Sequence, residues 1–315
     1  MLRAGRVCTG GAPQRIFAGA AIWFLATLAF PAAAQFTDWS TPQNLGPSVN
    51  TAYADSCVAI SKNKLTLFFS SNRQTGNAAS MNRDLYVSKR DSTDADWGPP
   101  VPLDAINTGD WESCPALSVD EHQLYFTSNR PGGCGAEDIW VAHRQDIHND
   151  VDWEPPVHLG CAADGFLNTP GRDLMPTLFE TETGGIVMYF STIRPGTSYW
   201  DIYQSEMRDD GTFGPPSPVT ELNSATYNSS PTVRRDGLEI IFSSDRPGGS
   251  GNSSSLDFWS ATRATTSDPW SMPVFVPSLG NPALMQGRIA LSWDGLELYF
   301  TSTRPGGLGG AATPL

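Results

Sequence analysis

Charge, helical periodicity and long apolar runs are all scarce in this 315-residue chain. Only 17% of residues are charged, and 20 basic side chains face 33 acidic ones for a net charge of −13. That balance excludes nucleic acid and anionic membrane surfaces as partners. Beyond residue 34 no stretch repeats its apolar residues with a 3.6-residue period, which excludes helical bundles and alternating α/β folds. No segment there approaches the roughly 20 apolar residues that cross a bilayer. A Gly-x-Ser-x-Gly nucleophile elbow is absent, and the repeats described below leave no room for a separate hydrolase domain. Glycine (30) and proline (25) are plentiful instead, the signature of short strands joined by tight turns. The chain reads as all-β.

The first 34 residues differ in kind. Arg3, Arg6 and Arg15 precede an apolar run from Ile16 to Phe30, and Pro31-Ala32-Ala33-Ala34 supplies small residues before Gln35. This is the pattern of a signal peptide cleaved after Ala34, the alternative being a retained anchor. Cys8 precedes the apolar run, the wrong side for a lipoprotein cysteine. Residues 1–34 are therefore expected to be a leader and residues 35–315 a single exported domain, periplasmic or secreted, with no membrane insertion after cleavage.

Five related segments organise the remainder. Phe-Ser-Ser-Asn-Arg ending at Arg73 recurs with Arg130, Arg194, Arg246 and Arg304, mostly followed by Pro-Gly, at spacings of 52 to 64 residues. Such spacing suits a four-stranded blade. In each unit an inner strand such as Cys114–Ser118 turns into a second strand, Gln123–Ser128, that ends at the Arg loop. The later turns contain Asp236-Gly237 and Asp294-Gly295, a pair suited to tight hairpins. A third strand opens with Asp84, Asp138, Asp201 or Asp257 followed by aromatics. A fourth carries an aromatic three residues before proline: Trp39, Trp97, Trp153, Phe213 and Trp270. The first of these fourth strands, Asp38 to Leu45, arrives before any inner strand, whereas the last hairpin, ending at Arg304, has none. The N-terminal strand is therefore expected to complete the last blade and close a ring, which removes exposed sheet edges.

The run Ser292 to Gly307, Ser-x-Asp-Gly-x-x-Leu-Tyr-Phe-x-Ser-x-Arg-Pro-Gly-Gly, with the Asp-Ile-Trp that follows it in another copy, resembles the TolB-type, WD-like β-propeller repeat. The resemblance covers about 38–307 and implies a five-bladed β-propeller with a closing strand at 38–45. The blades fall at about 54–103, 111–160, 172–220, 227–277 and 286–307. The last lacks an Asp-Ile-Trp strand after Gly307, so it is expected to be incomplete. TolB-like relatives further imply protein–protein contact through a propeller face.

Strand direction assigns the faces. With the start of the inner strand called the top, the Arg loops and the connections between blades share the top face. Asp55, Glu112, Asp173, Asn228 and Gln286 align just before the inner strands and would ring the top mouth of the channel. They are the candidate ligand- or partner-binding set. One reading has each cap the backbone of its own connection; the other has them hold a calcium or other divalent cation, or a small polar ligand. Clustered acids repel, so at least one should have a raised pKa unless a cation or the Arg loops compensate. The repeated arginines and third-strand aspartates read as structural, with Arg130 expected to bond Asp138. Cys134 and Cys161 both map to the top face and Cys57 and Cys114 to adjacent inner strands, so these two pairings are expected. His122, His143, His148 and His158 all fall in one blade and match no metal motif.

Two functions follow. The leading expectation is a non-catalytic binding or scaffold propeller without a cofactor, acting through its top face on a protein partner or a small polar ligand. The alternative is a glycoside hydrolase, because five-bladed glycosidases set acids from different blades at one channel mouth. There Asp55, Glu112 and Asp173 would act as acid and base, although the repeat type is not that of those families.

Overall fold

A computed structural model describes residues 1–9, 36–73, 82–193, 199–250, 256–280 and 286–304. Arg194, the leader's apolar run, the Ala34 site and the chain after Arg304 lie outside them. Five four-stranded antiparallel sheets form the blades of a ring. In chain order the strands are β1 (Leu2–Gly5), β2 (Gln43–Asn44), β3 (Asp55–Ile60), β4 (Thr66–Ser71), β5 (Asp84–Lys89), β6 (Val101–Pro102), β7 (Glu112–Leu117), β8 (Gln123–Ser128), β9 (Asp138–His143) and β10 (Val157–His158). They continue with β11 (Arg172–Glu180), β12 (Ile186–Ile193), β13 (Asp201–Glu206), β14 (Ser217–Pro218), β15 (Asn228–Val233), β16 (Glu239–Ser244), β17 (Asp257–Thr262), β18 (Val274–Phe275), β19 (Gln286–Leu291) and β20 (Glu297–Ser302). Four blades are consecutive, β3 to β6, β7 to β10, β11 to β14 and β15 to β18, and the fifth has the order β19-β20-β1-β2.

Hydrophobic burial between neighbouring blades holds the ring. Second strands alternate aromatic residues toward the two adjacent blades, so that Phe68 packs with Phe126, Trp140 and Trp153 of the next blade. Phe69 packs with Tyr299, Leu45 and Val49 across the closure. Comparable clusters join the other blade pairs. Each fully buried aromatic ring of this size contributes about 3 kcal/mol, and no gap interrupts the circuit of clusters.

Closure by the N-terminal segment occurs as expected, with Gln43–Asn44 as the fourth strand of the fifth blade, but that blade is not one strand short. Leu2–Gly5 is its third strand, pairing with Glu297–Phe300 on one side and Gln43–Asn44 on the other. Arg6 then occupies a repeated position. Arg6, Arg90, Arg144 and Arg263 each follow a third strand, donate Nε to a carbonyl of the inner hairpin turn, and lie over the fourth-strand indole at 4.2 to 4.7 Å. The expected domain limit at residue 35 thus leaves out a segment that fits the repeat. Leu2-Arg3-Ala4-Gly5 is obscured in the sequence because it lacks the Asp-aromatic signature and because Arg3 and the following Arg6 also suit a leader.

Arg6 makes a bidentate pair with Glu239 of the neighbouring blade, Nη1–Oε1 2.9 Å and Nη2–Oε2 2.5 Å, both residues being buried. Arg3 only approaches Glu297, at 3.7 Å near the surface. Arg6→Ala should therefore cost about 3 kcal/mol in chemical denaturation, and Arg3→Ala under about 1 kcal/mol. Equal effects would count against β1 as a member of the ring.

Candidate functional site

The top mouth repeats one clamp, seen with its arginine in four blades among the described residues. Asp55 accepts from the Thr51 N–H and hydroxyl through Oδ2 and from Ser71 and Arg73 through Oδ1, the Arg73 contact being 2.7 Å. Glu112 binds Thr108, Ser128 and Arg130 in the same way. Asp173 accepts from the Thr169 N–H and hydroxyl. Amides serve equally: Asn228 Oδ1 accepts from Ser224, Ser244 and Arg246, and Gln286 Oε1 accepts from Arg304 at 2.6 Å. The same guanidinium Nη2 also bonds the connection from the preceding blade, at Val49, Ile106, Leu222 or Leu279.

This geometry corrects one expectation. Arg130 bonds Glu112 and not Asp138; Asp138 Oδ2 instead accepts from the Cys134 and Gly135 N–H groups of the Pro-Gly-Gly loop. That arrangement explains the glycines. Gly132 has φ +99°, and a Cβ on Gly133 would sit 1.9 Å from the Asp138 carboxylate. Asp257 caps its loop similarly through Ser250. The five mouth residues are buried, and in four of them an arginine supplies the positive charge for which a cation was considered.

Asp84 behaves differently. Half-buried at the same mouth, it is pushed up to about 6, first by burial and then by Glu112 and Asp104. A carboxyl whose folded pKa lies above its unfolded one binds its proton more tightly in the native state. Its contribution to stability is therefore largest at low pH and is lost as pH rises from 3.8 to about 6. Asp84→Asn should flatten the dependence of Tm on pH across that window, as differential scanning calorimetry at a series of pH values would show.

On the opposite face the channel opens as a funnel of about 750 Å³. Its floor comes from an irregularity in every inner strand. The register slips at Ser56/Val58, Ser113/Ala116, Leu174/Thr177, Ser229/Thr232 and Gly287/Ala290, and one non-glycine residue per bulge takes a left-handed conformation. These are Cys57, Cys114, Met175, Ser230 and Arg288, with φ between 48° and 57°. Each costs on the order of 1 kcal/mol or more. All five line the funnel. Cys57 and Cys114 are joined in a disulfide with Cα atoms 4.6 Å apart. Ser230 Oγ donates to Met175 Sδ at 3.0 Å and accepts from the Arg288 N–H. The hairpin turns make the rim. Trp293 stands there between Lys62 and Arg235, each cation 4.4 Å from the ring. Exposed Glu180 and Glu182 and part-buried Glu121 bring carboxylates from two adjacent blades. Glu121 Oε1 accepts from the Lys62 N–H at 2.6 Å. Sequence reasoning looked to the top mouth and missed this funnel; Pro115, Pro176 and Pro231, inside inner strands, were the available sign of bulges.

The second disulfide joins Cys134 and Cys161, with Cα atoms 5.7 Å apart. His158 lies beside it, 3.7 Å from Cys134 Sγ, and its ring packs on Trp140 at 4.8 Å. With both cysteines oxidised this group offers a metal one nitrogen. His122 caps a turn through the Arg144 carbonyl.

No family model matches the chain, and no curated protein matches it. Solved structures do. An α-L-arabinofuranosidase from Lactobacillus brevis is 15% identical, with 81% of this chain and 84% of that one covered and a TM-score of 0.52. A thermostable family-43 glycoside hydrolase is 17% identical over 80% and 84%, with a TM-score of 0.51. A putative TolB from Agrobacterium tumefaciens is 17% identical over 81% and 78%, with a TM-score of 0.47. At such identities the likeness establishes a shared five-bladed propeller. It also overturns the expectation of a non-catalytic scaffold as that expectation was argued. The missing hydrolase domain and the foreign repeat were the case against an enzyme, and proteins named as glycoside hydrolases match across most of their length with this propeller alone.

The clamp geometry has a measurable corollary. Because Asn228 and Gln286 do in two blades what carboxylates do in the others, Glu112→Gln should lower stability by about 1 kcal/mol or less. Glu112→Ala, which leaves Arg130 buried without its acceptor, should cost about 3 kcal/mol. Urea denaturation of the two variants separates a clamp from a catalytic acid.

Proposed function

We propose that the chain is a glycoside hydrolase-like enzyme that admits a saccharide to the axial funnel on the hairpin-turn face. The observation that carries this reading is the funnel itself. It is a saccharide-sized concavity on the axis, with carboxylates from adjacent blades at its rim. Depth on the axis suits a chain end. The five-bladed likeness to glycoside hydrolases supports it as a shared scaffold.

Hydrolysis of a glycosidic bond needs one carboxylic acid to protonate the leaving oxygen and one carboxylate to attack the sugar or activate water. In this reading Glu121, held by the Lys62 N–H, and Glu180 or Glu182, which bond no other group among the described residues, fill those roles. Asp55 and Glu112 of the top mouth do not, since both oxygens of each serve a clamp, and Asp173 is buried and holds Thr169 through Oδ2. Export belongs to the same proposal, supported by two disulfides, which form in oxidising compartments. Activity on extracellular polysaccharide would require it.

The test is product release from arabinan, arabinoxylan and aryl glycosides by the purified full chain. Glu121→Gln and one of Glu180→Gln and Glu182→Gln should each reduce turnover at least about 100-fold with unchanged Tm, and Glu112→Gln should leave it intact. No turnover on any glycan, or loss in Glu112→Gln alone, would refute the funnel as an active site.

A further inference from the structure

The floor of the funnel contains a charge that the fold does not account for. Of the five bulge residues, Cys57 and Cys114 are spent on each other and Met175 and Ser230 touch. Arg288 is the charged one. It is 9% exposed, yet its guanidinium donates to no carboxylate, carbonyl or hydroxyl among the described residues; only its backbone N–H is engaged, with Ser230 Oγ at 3.0 Å. The clamp arginines Arg73, Arg130 and Arg246, by contrast, each bond a serine hydroxyl, a carbonyl and a mouth residue. Instead of an acid, Arg288 has the Arg83 guanidinium near enough to repel it, and burial with that repulsion pulls its pKa down to about 9. Leaving a cation nine-tenths buried and unpaired is costly, and here it stands in a strained backbone conformation at the end of a cavity. An anion arriving through the funnel removes that cost.

We infer that Arg288 is the recognition residue for a carboxylate-bearing sugar, a uronate unit, whose carboxylate seats against the guanidinium at the funnel floor. This inference rests on the glycan reading of the funnel and adds the class of sugar. The fork of an arginine matches a carboxylate bidentately. A single buried guanidinium neutralises one negative charge, and each uronate unit carries one, whereas a phosphate group concentrates up to two on one centre. Sugar hydroxyls would be left to the backbone and hydroxyl groups of the walls. The residue is replaceable, because Met175 holds the equivalent bulge position two blades away.

The test measures binding of trigalacturonate, its methyl ester, arabinotriose and inorganic phosphate to the full chain by calorimetry and thermal shift. Wild type should bind trigalacturonate at least about tenfold more tightly than the methyl ester. Arg288→Met should lose that preference while melting at the same temperature or higher without ligand. Arg288→Lys should retain part of the preference. If arabinotriose binds as well as trigalacturonate, or Arg288→Met keeps the preference, the inference fails and the glycan reading stands. If no saccharide binds, both fail. If phosphate shifts the melting temperature as much as trigalacturonate, the site is a general anion site and the uronate assignment is overturned.

Discussion

The arginine clamp is the interaction on which the ring depends. A propeller blade is a small sheet that cannot stand alone, and its inner strand begins where the chain has just crossed from the previous blade. At that junction backbone carbonyls, a buried carboxylate or amide, and a serine hydroxyl all require partners. One guanidinium satisfies them together, as Arg73 does with Ser71, Val49 and Asp55. Its flat face meanwhile covers the aromatics of the second and third strands, 4.9 Å from Phe69 and 5.3 Å from Tyr86. Polar satisfaction and hydrophobic cover are thus provided by one side chain at each of the four joints described, by Arg73, Arg130, Arg246 and Arg304. The second arginine series, Arg6, Arg90, Arg144 and Arg263, performs the corresponding task at the outer joints.

The clamps divide the molecule into two functional faces. Along the top, polar groups are committed to joining blades, so that carboxylates on the axis there are structural. Toward the hairpin turns the inner strands are free of such duties, and the bulges turn one side chain per blade inward. The strain of those bulges is tolerated because inter-blade packing on either side over-determines the backbone.

Legibility from sequence followed the same division. The number of blades, the closing strand and the joint residues were readable because each recurs with a local motif: Arg after a strand, Asp before one, an aromatic three residues before proline. The position of the acids at the top mouth was also readable, but their employment was not. Arg130 chooses Glu112 over Asp138 because Asp138 is taken by the N–H groups of its own loop, a competition that linear spacing does not reveal. The strand Leu2–Gly5 was hidden by lying on the far side of an apolar segment from its sheet partner Gln43–Asn44. The funnel floor was hidden because Cys57, Cys114, Met175, Ser230 and Arg288 share a conformation and not a residue type.

That last property has a consequence for how such a molecule changes over generations. Five side chains at one depth on the axis set the chemistry of the chamber: Cys57 and Cys114 join two blades and pack with Met175 against Trp200, whereas the guanidinium of Arg288 serves no joint among the described residues. A single codon replaced at Arg288 rewrites the chemistry of the chamber while the ring continues to assemble, and sulfur, hydroxyl and guanidinium already share that depth in this one chain. Diversification of ligand preference in proteins of this architecture should accordingly run ahead of any change in their recognisable repeats.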